Sequence, residues 1–353
     1  MRNFTFKGLF LAVVFMVLGS LAIQAADDGL ITKQITVKLE KAGTLRDKIG
    51  STKRDKITNL KIIGEINGSD WSVIRYMAGR DYYDSESDGK LAILDLSETK
   101  IVSGGGRYLY DDYYRDYFYT HDNELGSRAF YNCSGLTSLS LPSGITSIGW
   151  EAFSGCSGLT SLSLPSGITS MGNEAFSGCS GLTSLSLPSG LTSIGYNAFS
   201  SCSGLTSLSL PSGLTSIGDE AFSGCSGLTS LSLPSGLTSI GDVAFSGCSG
   251  LTSIYVYAEK MPKLGTDIFD GCDAKKCTVY VPKGTYDDYW LSEFGYFENI
   301  VEFEATGINN VITSNDAKEL SRYSVNGQRL SAPTKGLNIV KYSDGSVKKV
   351  AVQ

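Results

Sequence analysis

A block of 23 residues repeats almost letter for letter through the middle of this chain. One copy begins at Ala152-Phe153 and the next at Ala175-Phe176, and only two residues vary freely at the end of each copy. The phenylalanine recurs at Phe130, Phe153, Phe176, Phe199, Phe222 and Phe245, and Phe269 marks a degenerate copy. A fixed period in this range is the signature of a solenoid, in which each coil contacts only its neighbours. Because solenoids present extended surfaces, the repeat favours binding over catalysis.

The first part of each block predicts a short strand. It reads Leu159-x-x-Leu162-x-Leu164, the core of a leucine-rich repeat. Leu162 and Leu164 alternate with serines, which places the leucines inward and the serines outward. Pro165 then ends the strand, because proline cannot donate to a strand ladder.

The rest of the block completes the coil. Residues 168–171 predict a second extended pass, and Ala175, Phe176 and Cys179 belong to a short return segment, a turn or a piece of 3₁₀ helix. One coil cannot close a core alone, so the coils must stack. The predicted fold is therefore a mainly β repeat solenoid with short strands in a parallel ladder. Irregular caps are needed at both ends.

The cysteines follow the same period. Seven of the eight occur once per coil: Cys133, Cys156, Cys179, Cys202, Cys225, Cys248 and Cys272. They are expected to form a column of buried free thiols rather than a metal cluster, since one thiolate per coil gives no tetrahedral set. Cys277 breaks the pattern and could pair with Cys272 in an oxidising compartment.

The charge distribution excludes one class of partner. Residues 129–254 contain no lysine or arginine, and the net charge of the chain is -6. Five carboxylates stand in this stretch, all in the variable pair of their repeats: Glu151, Glu174, Asp219, Glu220 and Asp242. Nucleic-acid binding needs a basic stripe, so it is not expected.

Outside the repeats the chain divides into further segments. Residues 1–25 combine basic residues, an apolar run and a small-residue end, which predicts a signal peptide, and no membrane span is expected after its cleavage. Residues 26–128 are interpreted as an N-terminal capping segment, 129–303 as the solenoid with its C-terminal cap, and 304–353 as a small β-rich tail that could be a sorting module. Within the capping segment, strands are predicted near 35–39, 60–63 and 91–96, and helices over 42–49 and 69–77.

The arrangement resembles the BspA-type, or Treponema-pallidum-type, leucine-rich repeat proteins of the Bacteroides group. The match rests on LxxLxLP, on the run from Ser147-Ile148-Gly149 to Cys156, and on the 23-residue period. The resemblance implies a secreted or surface-exposed protein that binds other proteins, host matrix proteins among them, or mediates adhesion and coaggregation. The tail, with Tyr323 to Leu330 and Lys335 to Val340, looks like the end of type IX secretion sorting domains, and is shorter than a typical one.

Catalysis and metal binding have little support in the sequence. His121 is the only histidine and lies in a segment that is interpreted as a loop, so a Ser-His-Asp triad is not expected, and no cofactor is predicted. Asp111, Asp112 and Asp116 offer oxygen ligands for calcium, but their spacing matches no established loop.

Tyrosine-rich segments are a first candidate for binding. The segments 81–84 and 108–119 concentrate tyrosines in predicted loops, and Tyr113, Tyr114 and Tyr117 are the candidate contacts. Tyrosine offers a large amphipathic contact at low entropic cost. The alternative is that these tyrosines only cover the first coil.

Two surfaces of the array are further candidates. One is the set of variable pairs, Trp150-Glu151, Asn173-Glu174, Tyr196-Asn197 and Asp219-Glu220, with Asp242-Val243 after them. The other is the serine face, Ser161, Ser163, Ser184, Ser186, Ser207 and Ser209. The leading hypothesis is an exported, non-enzymatic protein for protein binding and adhesion. The alternatives are a structural spacer of the envelope and a carbohydrate-binding module using Trp150, Tyr196 and the tyrosine loops.

Overall fold

The computed structural model describes residues 29–303 fully and, beyond them, the backbone of four strands within residues 319–352. The chain divides into two compact units, residues 1–305 and 306–353. The predicted signal peptide, residues 1–25, lies outside the described residues. Among the described residues, no helix is both long and apolar enough to cross a membrane.

The segment before the repeats folds into strands and helices close to those predicted. Its elements are β1 (Ile35–Lys38), α1 (Leu45–Ile49), α2 (Ser51–Arg54), β2 (Asn59–Ile66), α3 (Gly68–Met77), β3 (Ile93–Ile101), β4 (Arg107–Asp111) and β5 (Asp116–Tyr119). The cap of α3 is Asn67, whose side chain accepts from the Ser69 N–H, while Asp70 completes a capping box. Strands β1, β2 and β3 are parallel, and Leu94 of β3 pairs with Leu139 of the first repeat. This segment thus begins the same sheet that the repeats continue.

The repeats form two rows of parallel strands, as the period predicts, and each row is divided once into two hydrogen-bonded sheets. The first contains β7 (Ser138–Ser140), β9 (Ser161–Ser163), β11 (Ser184–Ser186), β13 (Ser207–Ser209), β15 (Ser230–Leu233), β17 (Ser253–Val256), β19 (Thr278–Pro282) and β20 (Asn299–Phe303). The second contains β6 (Glu124–Leu125), β8 (Ser147–Ile148), β10 (Ser170–Met171), β12 (Ser193–Ile194), β14 (Ser216–Ile217), β16 (Ser239–Ile240) and β18 (Lys263–Leu264). Each residue of a repeat strand pairs with the equivalent residue of the next repeat, 23 positions later, as Ser184 does with Ser207. The predicted solenoid is therefore confirmed.

A column of phenylalanine rings occupies the centre of the coils. The six consecutive pairs from Phe130 to Phe269 stack with centroids 4.9 to 5.9 Å apart and interplanar angles of 2° to 16°. This spacing is close to the ~4.8 Å between neighbouring strands, so the ladder sets the ring separation. Each ring is fully buried and contributes about 1.5–3 kcal/mol of burial energy before entropy is subtracted.

The cysteine column is buried and free, as predicted. From Cys156 to Cys272 each thiol of the column donates to the phenylalanine carbonyl of the preceding coil, for example Cys156 to Phe130 at 3.0 Å. Burial raises the pKa of Cys179 to about 12, so this thiol stays protonated and unreactive near neutral pH. The disulfide considered between Cys272 and Cys277 is not formed, because both are free buried thiols in the structure.

The N-terminal cap replaces the coil that the first repeat lacks. In each later coil, the carbonyls of the return turn accept hydrogen bonds from backbone N–H groups of the coil before. For example, the Phe130 N–H donates to Ala152 O at 2.7 Å. In the first coil the indole N–H of Trp71 donates to Ala129 O at 3.0 Å, and the Tyr108 hydroxyl donates to Ser127 O. The Trp71 ring also covers Phe130 at 5.4 Å. Side chains therefore satisfy the carbonyls that stacking would otherwise leave unpaired.

The other end closes with aromatic side chains. Helix α4 (Tyr286–Trp290) and a 3₁₀ helix (Glu293–Tyr296) follow β19. Phe294 and Phe297 each lie 5.1 Å from the last ring of the column, Phe269. This aromatic segment therefore packs over the last coil.

The second unit contains an antiparallel sheet. Its strands are β21 (Glu319–Ser324), β22 (Arg329–Leu330), β23 (Gly336–Tyr342) and β24 (Val347–Val352), in the order β22-β21-β23-β24.

Close approach between coils explains an invariant glycine of the block. A Cβ on Gly158 would stand 2.2 Å from Ser134 O of the preceding coil. The equivalent Gly135 in the first repeat has nothing within 4 Å of its Cβ position. Glycine is thus required only where a coil precedes.

We expect Gly158→Ala to lower the free energy of unfolding by about 1–3 kcal/mol, since the methyl group would push two coils apart. Gly135→Ala is the matched control and should be neutral or stabilising by about 0.4–1 kcal/mol. Thermal and urea unfolding of both variants measure this difference, and equal destabilisation would contradict the assignment.

Candidate functional site

The serine face is exposed as predicted. All six serines named from the sequence are exposed, while Leu162 between them is buried. A shallow groove of about 530 Å³ lies over Ser161, Ser163, Ser184 and Ser186, with Pro188 at its margin. The groove offers hydroxyl groups at strand spacing, which form weak hydrogen bonds to a ligand.

The variable pairs form a corner ladder, the row of turns between the second strand and the return segment. The second residue of each pair adopts a positive φ of 51° to 58°: Glu151, Glu174, Asn197, Glu220 and Val243. This left-handed backbone is rare for such residues and makes the sharp turn. The five variable pairs therefore share the same turn conformation.

Some corner side chains have a structural task that sequence reasoning missed. The Asn173 side chain accepts from the Tyr196 N–H at 3.1 Å, and Asp219 accepts from the Asp242 N–H at 2.9 Å. Asp242 repeats this contact with Thr266 at 2.7 Å. The signal that could have revealed it is the recurrence of Asn or Asp at the first position of the pair, since these side chains bond to nearby backbone.

Tyr196 is the exposed aromatic residue of the corner ladder. Its ring is 42% exposed, and its hydroxyl lies 3.5 Å from the Glu220 carboxylate. The negative charge of Glu220, followed by burial and the charge of Glu174, raises the pKa of Tyr196. The ring thus lies in a negative potential.

Trp150 and Glu151 do not match the prediction of a free surface pair. Glu151 is only 7% exposed, and its carboxylate pairs with Arg128. Arg128 also pairs with Asp111 of the hairpin β4–β5. Burial raises the pKa of Glu151, and the hydrogen bond from Arg128 opposes that shift. A single buried arginine therefore ties the hairpin to the first two coils.

Aromatic rings enclose the same arginine. The guanidinium lies 4.6 Å from the Trp150 ring and 4.4 Å from the Tyr131 ring. Trp150 is in turn covered edge-on by Tyr114 at 5.3 Å. Contacts of this kind stabilise a cation beyond its ion pairs.

The tyrosine-rich stretch 108–119 is a β-hairpin, which corrects the prediction of a loop. Strands β4 and β5 pair antiparallel, with Tyr110 opposite Tyr117. Tyr113 and Tyr114 lie in its turn and are 86% and 55% exposed. The signal for strands was the concentration of aromatic residues, which favour strands, and the interspersed aspartates, which favour turns, obscured it. Tyr108 covers the first coil, so the hairpin combines the capping and exposed roles.

Two of the three aspartates considered for calcium have other partners. Asp111 pairs with Arg128, and Asp116 accepts from the Tyr117 N–H at 2.7 Å. Within the described residues, no group of three or more His, Cys, Asp or Glu side chains is placed to hold a metal ion. His121 lies between β5 and β6 outside any strand, as predicted.

Stacked coils with an LxxLxL strand, a parallel ladder and capped ends define a leucine-rich repeat solenoid. The family model described as BspA type leucine rich repeat region (6 copies) matches residues 123–252 and 208–331. The chain therefore belongs to the BspA-type leucine-rich repeat family, whose members generally act by binding other proteins. A comparison with curated protein sequences finds no significant match.

Solved structures of similar proteins come from several bacteria. A T. pallidum leucine-rich repeat protein is 36% identical, with a TM-score of 0.38, over 41% of this chain and 68% of that chain. A leucine-rich repeat protein from Bacteroides ovatus is 23% identical, with a TM-score of 0.38, over 70% of this chain and 61% of that chain. A leucine rich cell surface protein from Faecalibacterium prausnitzii is 19% identical, with a TM-score of 0.34, over 78% of this chain and 88% of that chain.

We expect Arg128→Met to lower the free energy of unfolding by about 3 kcal/mol, because two buried carboxylates lose their cation. Urea unfolding and proteolysis within residues 107–119 are the measurements. Arg115→Met, at the exposed hairpin turn, is the control and should change stability by less than about 0.5 kcal/mol. Adding Asp111→Asn and Glu151→Gln to Arg128→Met should restore part of the loss; no restoration would contradict the ion-pair explanation.

Proposed function

We propose that this protein is exported to the outer cell surface or released, and that it binds other proteins there and mediates adhesion. Host extracellular matrix proteins are the first partners to test. We propose a binding role rather than an enzymatic one. The eight thiols, which could otherwise act as nucleophiles, are buried inside the solenoid.

The observation that carries the proposal is the exposed aromatic hairpin on a rigid support. Tyr113 and Tyr114 are largely exposed, yet their hairpin is anchored through Asp111 to the buried Arg128. Exposed rings on a fixed backbone lose little entropy on binding and supply large contact areas. The corner ladder and the serine face extend this surface along the coils.

The export part of the proposal is supported by sequence patterns at both ends. Residues 1–25 carry the basic, apolar and small-residue order of a signal peptide. The tail from residue 304 resembles the end of a type IX sorting domain. Together they suggest delivery across the envelope.

Deleting residues 152–243 removes four whole repeats and keeps the register between the remaining coils. If the array carries recognition, residues 26–353 will bind immobilised matrix proteins saturably, and the deletion will abolish that binding. Solid-phase binding with both proteins measures this. Circular dichroism serves as the folding control.

The other outcomes assign the function differently. Equal binding by both proteins would place recognition on the caps or the aromatic hairpin, and Tyr113→Ser/Tyr114→Ser would then reduce it. An absence of binding by either protein would contradict adhesion and favour the envelope spacer.

Deleting residues 304–353 should stop secretion of the protein if the tail is a sorting module. The measurement is the amount of protein in the medium and on the outer surface of cells, compared with the amount inside. A deletion of similar length within the repeats, the two whole repeats 152–197, controls for size. Unchanged export of the tail deletion would overturn the sorting role.

A further inference from the structure

The exposed aromatic rings of the hairpin continue onto the corner ladder. The Tyr113 and Tyr114 rings contact each other edge-on at 4.8 Å, and Tyr114 contacts Trp150 at 5.3 Å. Two coils beyond Trp150, the Tyr196 ring is exposed at the same corner. Glu174 belongs to the coil between them. We call Tyr113, Tyr114, Glu174, Tyr196 and Glu220 the aromatic corner surface.

The charge of this surface points to one kind of occupant. Its neighbourhood in the array, residues 129–254, contains five carboxylates and no lysine or arginine. Glu151 shares the single positive charge of Arg128 with Asp111. Glu174, Asp219, Glu220 and Asp242 make no ion pair within residues 29–303. The hairpin carries Arg115 in its turn, together with Asp112 in the turn and Asp116 at the start of β5.

The protein itself contains an example of how a cation fits such a corner. Arg128 occupies the same position of its repeat as Glu151, Glu174 and Glu220 do in theirs. Its guanidinium pairs with the Glu151 carboxylate of the next coil and lies 4.6 Å from the Trp150 ring. At Tyr196 the hydroxyl lies 3.5 Å from the Glu220 carboxylate of the next coil, and no lysine or arginine within residues 29–303 pairs with that carboxylate.

We propose that the aromatic corner surface binds a cationic segment of a partner protein, with arginine side chains stacked on the rings of Tyr114 and Tyr196 and paired with Glu174 and Glu220. Arginine is favoured over lysine because its planar guanidinium stacks on aromatic rings and pairs with carboxylates through two N–H groups. The inference rests on the proposed protein-binding function and adds the chemistry of the partner.

The electrostatics of the exposed tyrosine agree with this occupant. The charges of Glu220 and Glu174 contribute to the raised pKa of Tyr196, which shows that the negative potential reaches the ring. A cation placed there would be attracted by both carboxylates. Since the groups are exposed, the attraction should weaken as salt concentration rises.

The test uses the full chain and three synthetic peptides of equal length with glycine and serine spacers, carrying arginine, lysine or glutamate. Fluorescence anisotropy at low and at physiological salt gives the Kd of each. We expect the arginine peptide to bind more tightly than the lysine peptide, and the glutamate peptide not to bind. Equal Kd values for the arginine and glutamate peptides would overturn the proposal.

The variants locate the site. Glu174→Gln/Glu220→Gln should weaken arginine-peptide binding about tenfold, and Tyr196→Ser should remove most of the preference for arginine over lysine. The control, Glu259→Gln/Glu298→Gln, removes two exposed carboxylates beyond the repeats and should leave the Kd unchanged. Both pairs keep side-chain shape, and thermal unfolding verifies their folding. The proposal is overturned if the two pairs behave alike.

Matrix-protein binding in the same assay keeps this test separate from the proposed function. If the chain binds matrix proteins but Glu174→Gln/Glu220→Gln keeps its affinity for the arginine peptide, the cationic partner is wrong and adhesion stands. If the peptide binds as predicted and no matrix protein does, the surface is supported and the proposed class of partners is overturned.

Discussion

The spacing between neighbouring coils is the constraint on which the rest of the molecule depends. Parallel strands lie ~4.8 Å apart. A side chain that recurs once per coil must therefore pack against an identical side chain at about that distance. Phenylalanine meets this demand as a stacked column, with rings 4.9 to 5.9 Å apart. Cysteine meets it by donating to the carbonyl of the coil before, and glycine meets it by leaving room for backbone. The recurrence of phenylalanine, cysteine and glycine at these positions of the block is therefore a packing requirement.

The same constraint makes the two ends the places where the chain must depart from repetition. Trp71 and Tyr108 supply the donors of a missing coil, and Phe294 and Phe297 cover the last ring. The N-terminal cap also exposes aromatic side chains. The hairpin that carries the buried Tyr108 has the exposed Tyr113 and Tyr114 in its turn, and Arg128 holds it through Asp111. Capping and presentation of exposed aromatic rings are thus linked in one hairpin. The corner ladder carries that surface along the array.

Sequence periodicity predicted the buried positions of the coils well and the contacts of the exposed residues poorly. Leu162, Phe176 and Cys179 recur at one interval, and the phenylalanine and cysteine positions are buried in every coil, while the Leu162 position is only partly buried at Leu208. The corner was harder to predict, since its side chains differ from coil to coil and some bond to the next backbone. Glu151 and Glu174 occupy equivalent positions, yet one is buried beside Arg128 and the other is half-exposed. Only the neighbouring coil and the hairpin distinguish them.

The order of residues along the chain was enough to establish the solenoid, its inward and outward faces, the free thiols and the acidic character of the array, because these depend on contacts between identical coils one period apart. The tertiary structure decided which exposed residues lie together. The hairpin reaches Trp150 and Arg128 from another part of the sequence, and no period relates them. Contacts within a repeat array are local and predictable, whereas contacts between the array and its cap depend on how one irregular segment folds back, which the three-dimensional structure resolves.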